Sequence, residues 1–253
     1  MLGIFSIPKS DLLQLSKIFL RKIGIFVGFI FVLFFDGTYF TEHYVNSQIP
    51  INILMLVGFL WMYKRAIPRT RKLMIYAVFI GFAGEYLFSI YLGMYTYRLG
   101  MIPLYVPLGH AALYGRVFVF SKDLLARTYH KEIEEFLVLI IIGIAVIYVS
   151  FFDDIFGFLM TFLVFLFMWF RPKDRLYFYT MYIVVVLLEI GGTAFGCWKW
   201  PSIAFGSFEF LPSNNPPSGI SIVYFLLDIS CFITYILFHR TVWQRSKTRT
   251  SWP

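Results

Sequence analysis

Eight times along this chain an apolar stretch runs on for roughly the 20 residues that a helix needs to cross a hydrocarbon core about 30 Å thick. The stretches lie at about residues 20–36, 49–63, 73–92, 105–121, 135–151, 155–170, 176–194 and 218–238. A soluble domain clothes its surface with about 25% charged residues. Here only 14% are charged and 59% are hydrophobic, with a mean hydropathy of +0.75, so too little polar surface exists to face water. The sequence predicts an all-α, polytopic membrane protein of about eight transmembrane helices, in one integral membrane domain over residues 1–253. Residues 1–19 read differently. Lys9, Asp11 and Lys17 interrupt Leu12, Leu13, Leu15 and Ile18, the pattern of an amphipathic helix lying in the interface.

Charge sets the expected orientation. Nineteen of the 22 basic residues fall in the N-terminal segment, in the 64–72, 122–131 and 171–175 loops, or in the tail holding Arg240, Arg245, Lys247 and Arg249. The opposite side carries only Arg98 and Lys199, and Arg116 lies inside the fourth stretch. The positive-inside rule then predicts both termini in the cytoplasm, with a bacterial inner or plasma membrane as the expected location. The net charge of +8 is thereby explained as a topology signal, and a nucleic-acid partner is not expected. Cys197 and Cys231 form no disulfide framework, and the four histidines are scattered. No metal and no cofactor is expected. Nucleotide-binding glycine loops and hydrolase nucleophile motifs are absent as well.

A duplication organises the rest. Pro68 and Pro172, Arg71 and Arg175, and Glu85 and Glu189 each differ by 104 positions. Gly93/Gly196, Tyr95/Trp198 and Tyr97/Trp200 differ by 103, and Pro107/Pro217, Gly109/Gly219 and Tyr114/Tyr224 by 110. Phe35-Asp36 echoes Phe152-Asp153. An ordered series of this kind predicts a 4 + 4 parallel repeat, with halves at about 20–121 and 135–238 related by an axis along the membrane normal.

Each copy puts an acid deep in an apolar run. Glu85 lies about 18 Å along a helix starting near residue 73, and Glu189 is at a similar depth. His110 falls near that level, while Asp228 and Arg116 are expected deeper and paired with each other. Ionisable groups at such depths are costly against lipid and turn to the bundle interior. The two glutamates are therefore expected to line a cavity between the halves, open on the non-cytoplasmic side. Low dielectric favours the neutral form of a carboxylic acid, and a neutral acid can protonate an alkene. Aromatic faces stabilise the resulting cation, and a second carboxylate can orient water or remove a proton. Glu85, Glu189 and Asp228 are the candidate acid–base residues. Tyr86, Tyr91, Tyr95, Tyr97, His110, Arg116, Trp198, Trp200, Asn215 and Tyr224 are the candidate substrate-binding residues. The expected partners are membrane lipid and a hydrophobic small-molecule substrate. Two other readings use the same residues: a proton-coupled carrier or flippase of a small amphiphile, and a non-catalytic scaffold whose acids bond neighbouring helices.

Glu85, Gly93-Met-Tyr-Thr-Tyr97-Arg-Leu-Gly100 and Ile102-Pro-Leu-Tyr-Val-Pro107-Leu together resemble the carotenoid hydratase family of polytopic membrane proteins. In that family an acid precedes a Gly-x-Tyr-x-Tyr turn and a proline-rich re-entry follows. The likeness covers residues 85–109, and the re-entry is shorter here. It implies acid–base chemistry on an isoprenoid or carotenoid lipid: hydration, isomerisation or cyclisation, the work of a lyase or an isomerase. Asn215-Pro-Pro-Ser-Gly219 with Asp228 looks more like bacterial polytopic membrane proteins of no assigned activity.

Overall fold

A computed structural model describes residues 6–240 of the chain. Residues 1–5 of the expected interfacial segment, and Arg245, Lys247 and Arg249 of the basic tail, lie outside the described residues. The helices are α1 (Lys9–Ile23), α2 (Ile25–Asp36), α3 (Thr38–His43), α4 (Gln48–Arg65), α5 (Pro68–Glu85), α6 (Tyr105–Ser121), α7 (Leu124–Thr128), α8 (His130–Phe152), α9 (Ile155–Trp169), α10 (Arg175–Ala194) and α11 (Ser221–Phe238). A π-helical turn, Tyr86–Tyr91, continues α5, and a 3₁₀ turn, Pro172–Asp174, leads into α10.

A helix lies on each of the eight apolar stretches, but their lengths differ. Four are long and apolar enough to cross a membrane: α5 with its π turn, α8, α10 with its 3₁₀ turn, and α11. The pair α1 and α2, bent by 42° where they meet, makes a fifth if taken as one span. By itself α2 has 12 residues and rises only about 18 Å. Helices α6 and α9 stop at 17 and 15 residues. The amphipathic segment also runs further than expected, to Ile23, so the first apolar stretch starts inside α1 rather than after it.

Four helices form the centre. α5 packs on α6 and α11, and α10 packs on α6 and α11. Small residues bring them close. A Cβ on Gly84 would come within 2.4 Å of Leu227, and one on Gly115 within 2.9 Å of Met74. At the periphery α8 buries only Ile141 and Ala145, and presents Leu139, Ile142 and Phe151 outward. An apolar surface of that extent suits lipid rather than water.

The fold is not purely α. Two short antiparallel ribbons sit at the end of the bundle opposite the basic loops. β1 (Thr96–Tyr97) pairs with β2 (Trp198–Lys199), and β3 (Ile203–Ala204) pairs with β4 (Phe208–Pro212). Two buried aspartates hold the loops there. Asp36, at the end of α2, takes Arg98 at 2.9 Å and the Tyr105 hydroxyl at 2.8 Å. Asp154, capping α9, accepts backbone N–H bonds from Gly157 at 3.1 Å, Asn214 at 3.0 Å and Ser218 at 2.7 Å. Asp153, the residue before it, is exposed in a left-handed conformation (φ 54°).

Candidate functional site

Glu85 is the last residue of α5, and the backbone widens into the π turn directly after it. Such turns redirect a helix without ending it, and they are frequent at functional sites. Gly93, at φ 60°, then reverses the chain, and Ser89 Oγ donates to the Tyr95 carbonyl at 3.1 Å. The reversal carries two phenols back over the acid. Tyr97 donates to Glu85 Oε2 at 2.6 Å, and Tyr95 donates to the same oxygen. Burial pushes both phenols well above their usual range, so both stay protonated.

Glu189 is caged by another route. α10 stays regular past Glu189, and Gly192 leaves its surface bare; a Cβ there would fall 2.0 Å from the Trp198 indole. Gly196, at φ 74°, reverses the chain. Trp198 Nε1 and Trp200 Nε1 then donate to Glu189 Oε2 at 2.8 and 3.0 Å, and the Tyr224 hydroxyl bonds Oε1 at 2.7 Å. Asn215 fixes this turn from outside, its side-chain oxygen accepting from Trp200 N at 2.8 Å.

The two cages touch. β1 and β2 pair Thr96 with Lys199 and Tyr97 with Trp198. The Tyr95 and Trp200 rings lie 4.4 Å apart, and those of Tyr97 and Trp198 lie 6.0 Å apart. Beside them a cavity of about 60 Å³ opens between α2, α4, α6 and α10. Phe29, Val32, Leu33 and Met55 are among its apolar lining residues, and Tyr105, His110, Glu189, Trp198 and Tyr224 are the lining residues that carry polar groups. Glu85 does not line it.

Asp228 has a different partner from the one expected. His110 Nε2 lies 3.2 Å from Asp228 Oδ1, and Tyr177 donates to Oδ2 at 2.8 Å. The N–H direction misses a proper hydrogen-bond line, and neither of the two facing atoms has another partner. Arg116 is elsewhere. Its guanidinium donates to the Lys22 carbonyl at 2.6 Å and to that of Arg21, closing the end of α1.

No family model, curated protein or solved structure matches this chain. The site therefore has to be read from its own geometry. Of the thirteen residues singled out, Glu85, Tyr95, Tyr97, Glu189, Trp198, Trp200 and Tyr224 form the joined cages, with His110 and Asp228 adjoining. Tyr86 and Tyr91 turn outward, 55% and 77% exposed, because the π turn rotates them off the acid's face. Asn215 and Arg116 hold backbone. Asp36, Tyr105, Asp154 and Tyr177 stand outside those thirteen, although Tyr105 is one of the aromatic residues that the sequence places near the acids. For Asp36 the signal lay in Arg98, one of only two basic residues at that end. For Tyr177 no sequence signal existed.

Proposed function

We propose that this chain is a multi-pass membrane enzyme of the acid–base type, acting on a hydrophobic, alkene-bearing lipid of isoprenoid or carotenoid kind, with both termini cytoplasmic. The observation that carries the reading is the cavity: an apolar slot whose lining includes Glu189, Tyr224 and His110. An indole N–H can only donate. Glu189 Oε2, which receives two of them, stays an acceptor, so the acid's proton belongs on Oε1, where the Tyr224 hydroxyl, a donor to the carboxylate, then turns to accept. From there it can pass to an alkene carbon in the slot. The apolar wall keeps bulk water from the cation that forms.

A duplicated four-helix unit belongs to the same proposal. Thr96 and Lys199, 103 positions apart like the aromatic turns, face each other in the ribbon, where a two-fold axis would put equivalent residues. Packing exchanges in the same sense: α5 meets α11 as α10 meets α6, and α4 meets α6 as α9 meets α11. The outer helices break it, since α2 and α8 both lie on α10. Eight spans follow if α4, α6 and α9 cross in a locally thinned bilayer.

The test is comparative lipid mass spectrometry on membranes from cells carrying the full chain or its Glu189→Gln variant. The amide oxygen of Gln can keep both indole bonds, so the variant retains the cage while losing the acid. A lipid species converted only by the wild type is expected, heavier by one water for hydration or equal in mass for isomerisation. Identical lipid profiles with and without the chain would sink the reading.

A further inference from the structure

Protonating an alkene leaves a cation that must discharge a proton, directly from the adjoining carbon or from an attacking water, and a base other than Glu189 lets that proton leave at a different point of the slot from the one where the first arrived. We propose that His110 is the base that receives this proton and that Asp228 is the residue positioning it. The inference rests on the reading of Glu189 as the acid and adds the second half of the reaction.

The placement of the ring argues for it. His110 is 7% exposed and lies against the cavity wall, with its ring centroid 5.6 Å from that of Tyr224. Its Nε2 faces Asp228 Oδ1 at 3.2 Å, and neither atom has a hydrogen bond to any other group. A small ring rotation aligns the bond, as buried polar groups require. Asp228 is itself held through its second oxygen by Tyr177 at 2.8 Å. A carboxylate at Nε2 selects the tautomer that carries its proton there, which leaves Nδ1 with a free lone pair. The residue lines the cavity, so Nδ1 is the ring nitrogen left to meet a ligand there. The same device, a carboxylate behind an imidazole, orients bases in hydrolytic triads. On the α5 side the imidazole packs beside Gly81, where a Cβ would stand in ordinary contact, 3.5 Å from His110 Cδ2.

The step balances. The Glu189 O–H bond breaks as a C–H bond forms at the alkene, which uses the π pair. Water then forms a C–O bond and loses a proton to Nδ1, or the adjoining C–H bond breaks and re-forms the alkene, with its proton going to Nδ1. Either way an imidazolium stands beside the Asp228 carboxylate, and a carboxylate remains at Glu189. Tyr224, whose hydroxyl bonds Glu189 Oε1 and whose ring faces His110, lies between the two for the return of the proton.

Two measurements on the full-length protein test this. The first is ¹⁵N NMR of histidine-labelled protein in lipid, which has four histidines, with His110 assigned by its loss in His110→Gln. Wild type is expected to show a neutral ring protonated at Nε2, and Asp228→Asn to shift the tautomer towards Nδ1–H. A proton on Nδ1 in wild type, or no response to Asp228→Asn, overturns the relay. The second is conversion of the lipid found in the comparative profiles. His110→Gln is expected to lower it about 100-fold or more, Asp228→Asn by a similar factor because it sets the wrong tautomer, and Asp228→Glu to recover part of that loss. Conversion lost in Glu189→Gln but kept in His110→Gln overturns the relay alone. Conversion kept in both overturns the assignment of the acid.

Discussion

The two acid cages solve one folding problem in different ways. At Glu85 the helix backbone itself changes, widening into a π turn so that the chain can double back and lay Tyr95 and Tyr97 on the carboxylate. At Glu189 the helix stays regular, and the bare surface at Gly192 makes space for the Trp198 indole instead. The donors differ as well. Phenols can donate or accept, so the Glu85 cage is compatible with either protonation state of its acid. Indoles only donate, which makes one oxygen of Glu189 a permanent acceptor and leaves the other to Tyr224. Only the second acid meets the cavity. On the proposed reading, then, one copy anchors the outer turn and the other carries the reaction.

The sharpest way to break that contrast lies at the loops behind the cages. Asp36 restrains its loop through a buried ion pair, with the Arg98 side chain 14% exposed and its own fully buried. Asp36→Asn leaves a guanidinium without its counter-charge, and a loss of about 3–5 kcal/mol is expected in reversible unfolding from detergent or lipid. Asp154 works through backbone donors only. Asp154→Asn keeps an acceptor for Gly157 and Asn214 but turns an amide N–H towards Ser218 N, for an expected loss of about 1–3 kcal/mol. Equal losses would mean that the charge on Arg98 contributes nothing.

A middle-sized effect separates the two turning devices. Gly192→Ala forces a Cβ into the 2.0 Å gap below Trp198, so the indole must move and its bond to Glu189 must break. The expected loss is about 1–3 kcal/mol, with a red shift of tryptophan emission as the ring leaves its buried seat. Ser89→Ala, which removes only the hydroxyl tying the π turn to Tyr95, is expected to cost about 0.5–1.5 kcal/mol and to leave emission unchanged. A larger effect at Ser89 than at Gly192 would mean that the π turn, and not the bare helix face, is the more tightly constrained of the two devices.

How much of this the sequence exposes depends on whether an arrangement is local. Glu85 and Glu189 with their aromatic pairs are legible because acid, glycine and two rings recur within about a dozen positions. The partner of Asp228 is not. Helix α6 is buried on most of its circumference, from Tyr105 to Ser121, so no amphipathic stripe says which face meets α11. Counting residues put Arg116 at the same depth as Asp228, but a long guanidinium reaches along its helix, and here it reaches the end of α1. Asp153 and Asp154 are neighbours with opposite fates, decided by one left-handed residue that composition does not mark. The π turn leaves no trace either, since Tyr-Leu-Phe-Ser-Ile-Tyr would serve equally well in a regular helix.

The smallest expected effect tests the least visible part of the comparison, the redundancy of the Glu85 cage. In Tyr97→Phe the ring stays packed, 5.6 Å from Tyr95 and 6.0 Å from Trp198, so only the hydroxyl is lost. Glu85 Oε2 keeps its bond from Tyr95, and no acceptor is left bare. The cost should therefore be one net hydrogen bond, about 0.5–1.5 kcal/mol, and a cycle with Glu85→Gln should return a coupling no larger than that. Tyr224→Phe removes a hydroxyl at a similar distance from its acid, but the oxygen it leaves has no second donor among the bonds described. Its loss should be the greater of the two. If Tyr97→Phe proves the more costly, Glu85 is not an anchored spectator, and the division of labour between the copies has to be drawn the other way.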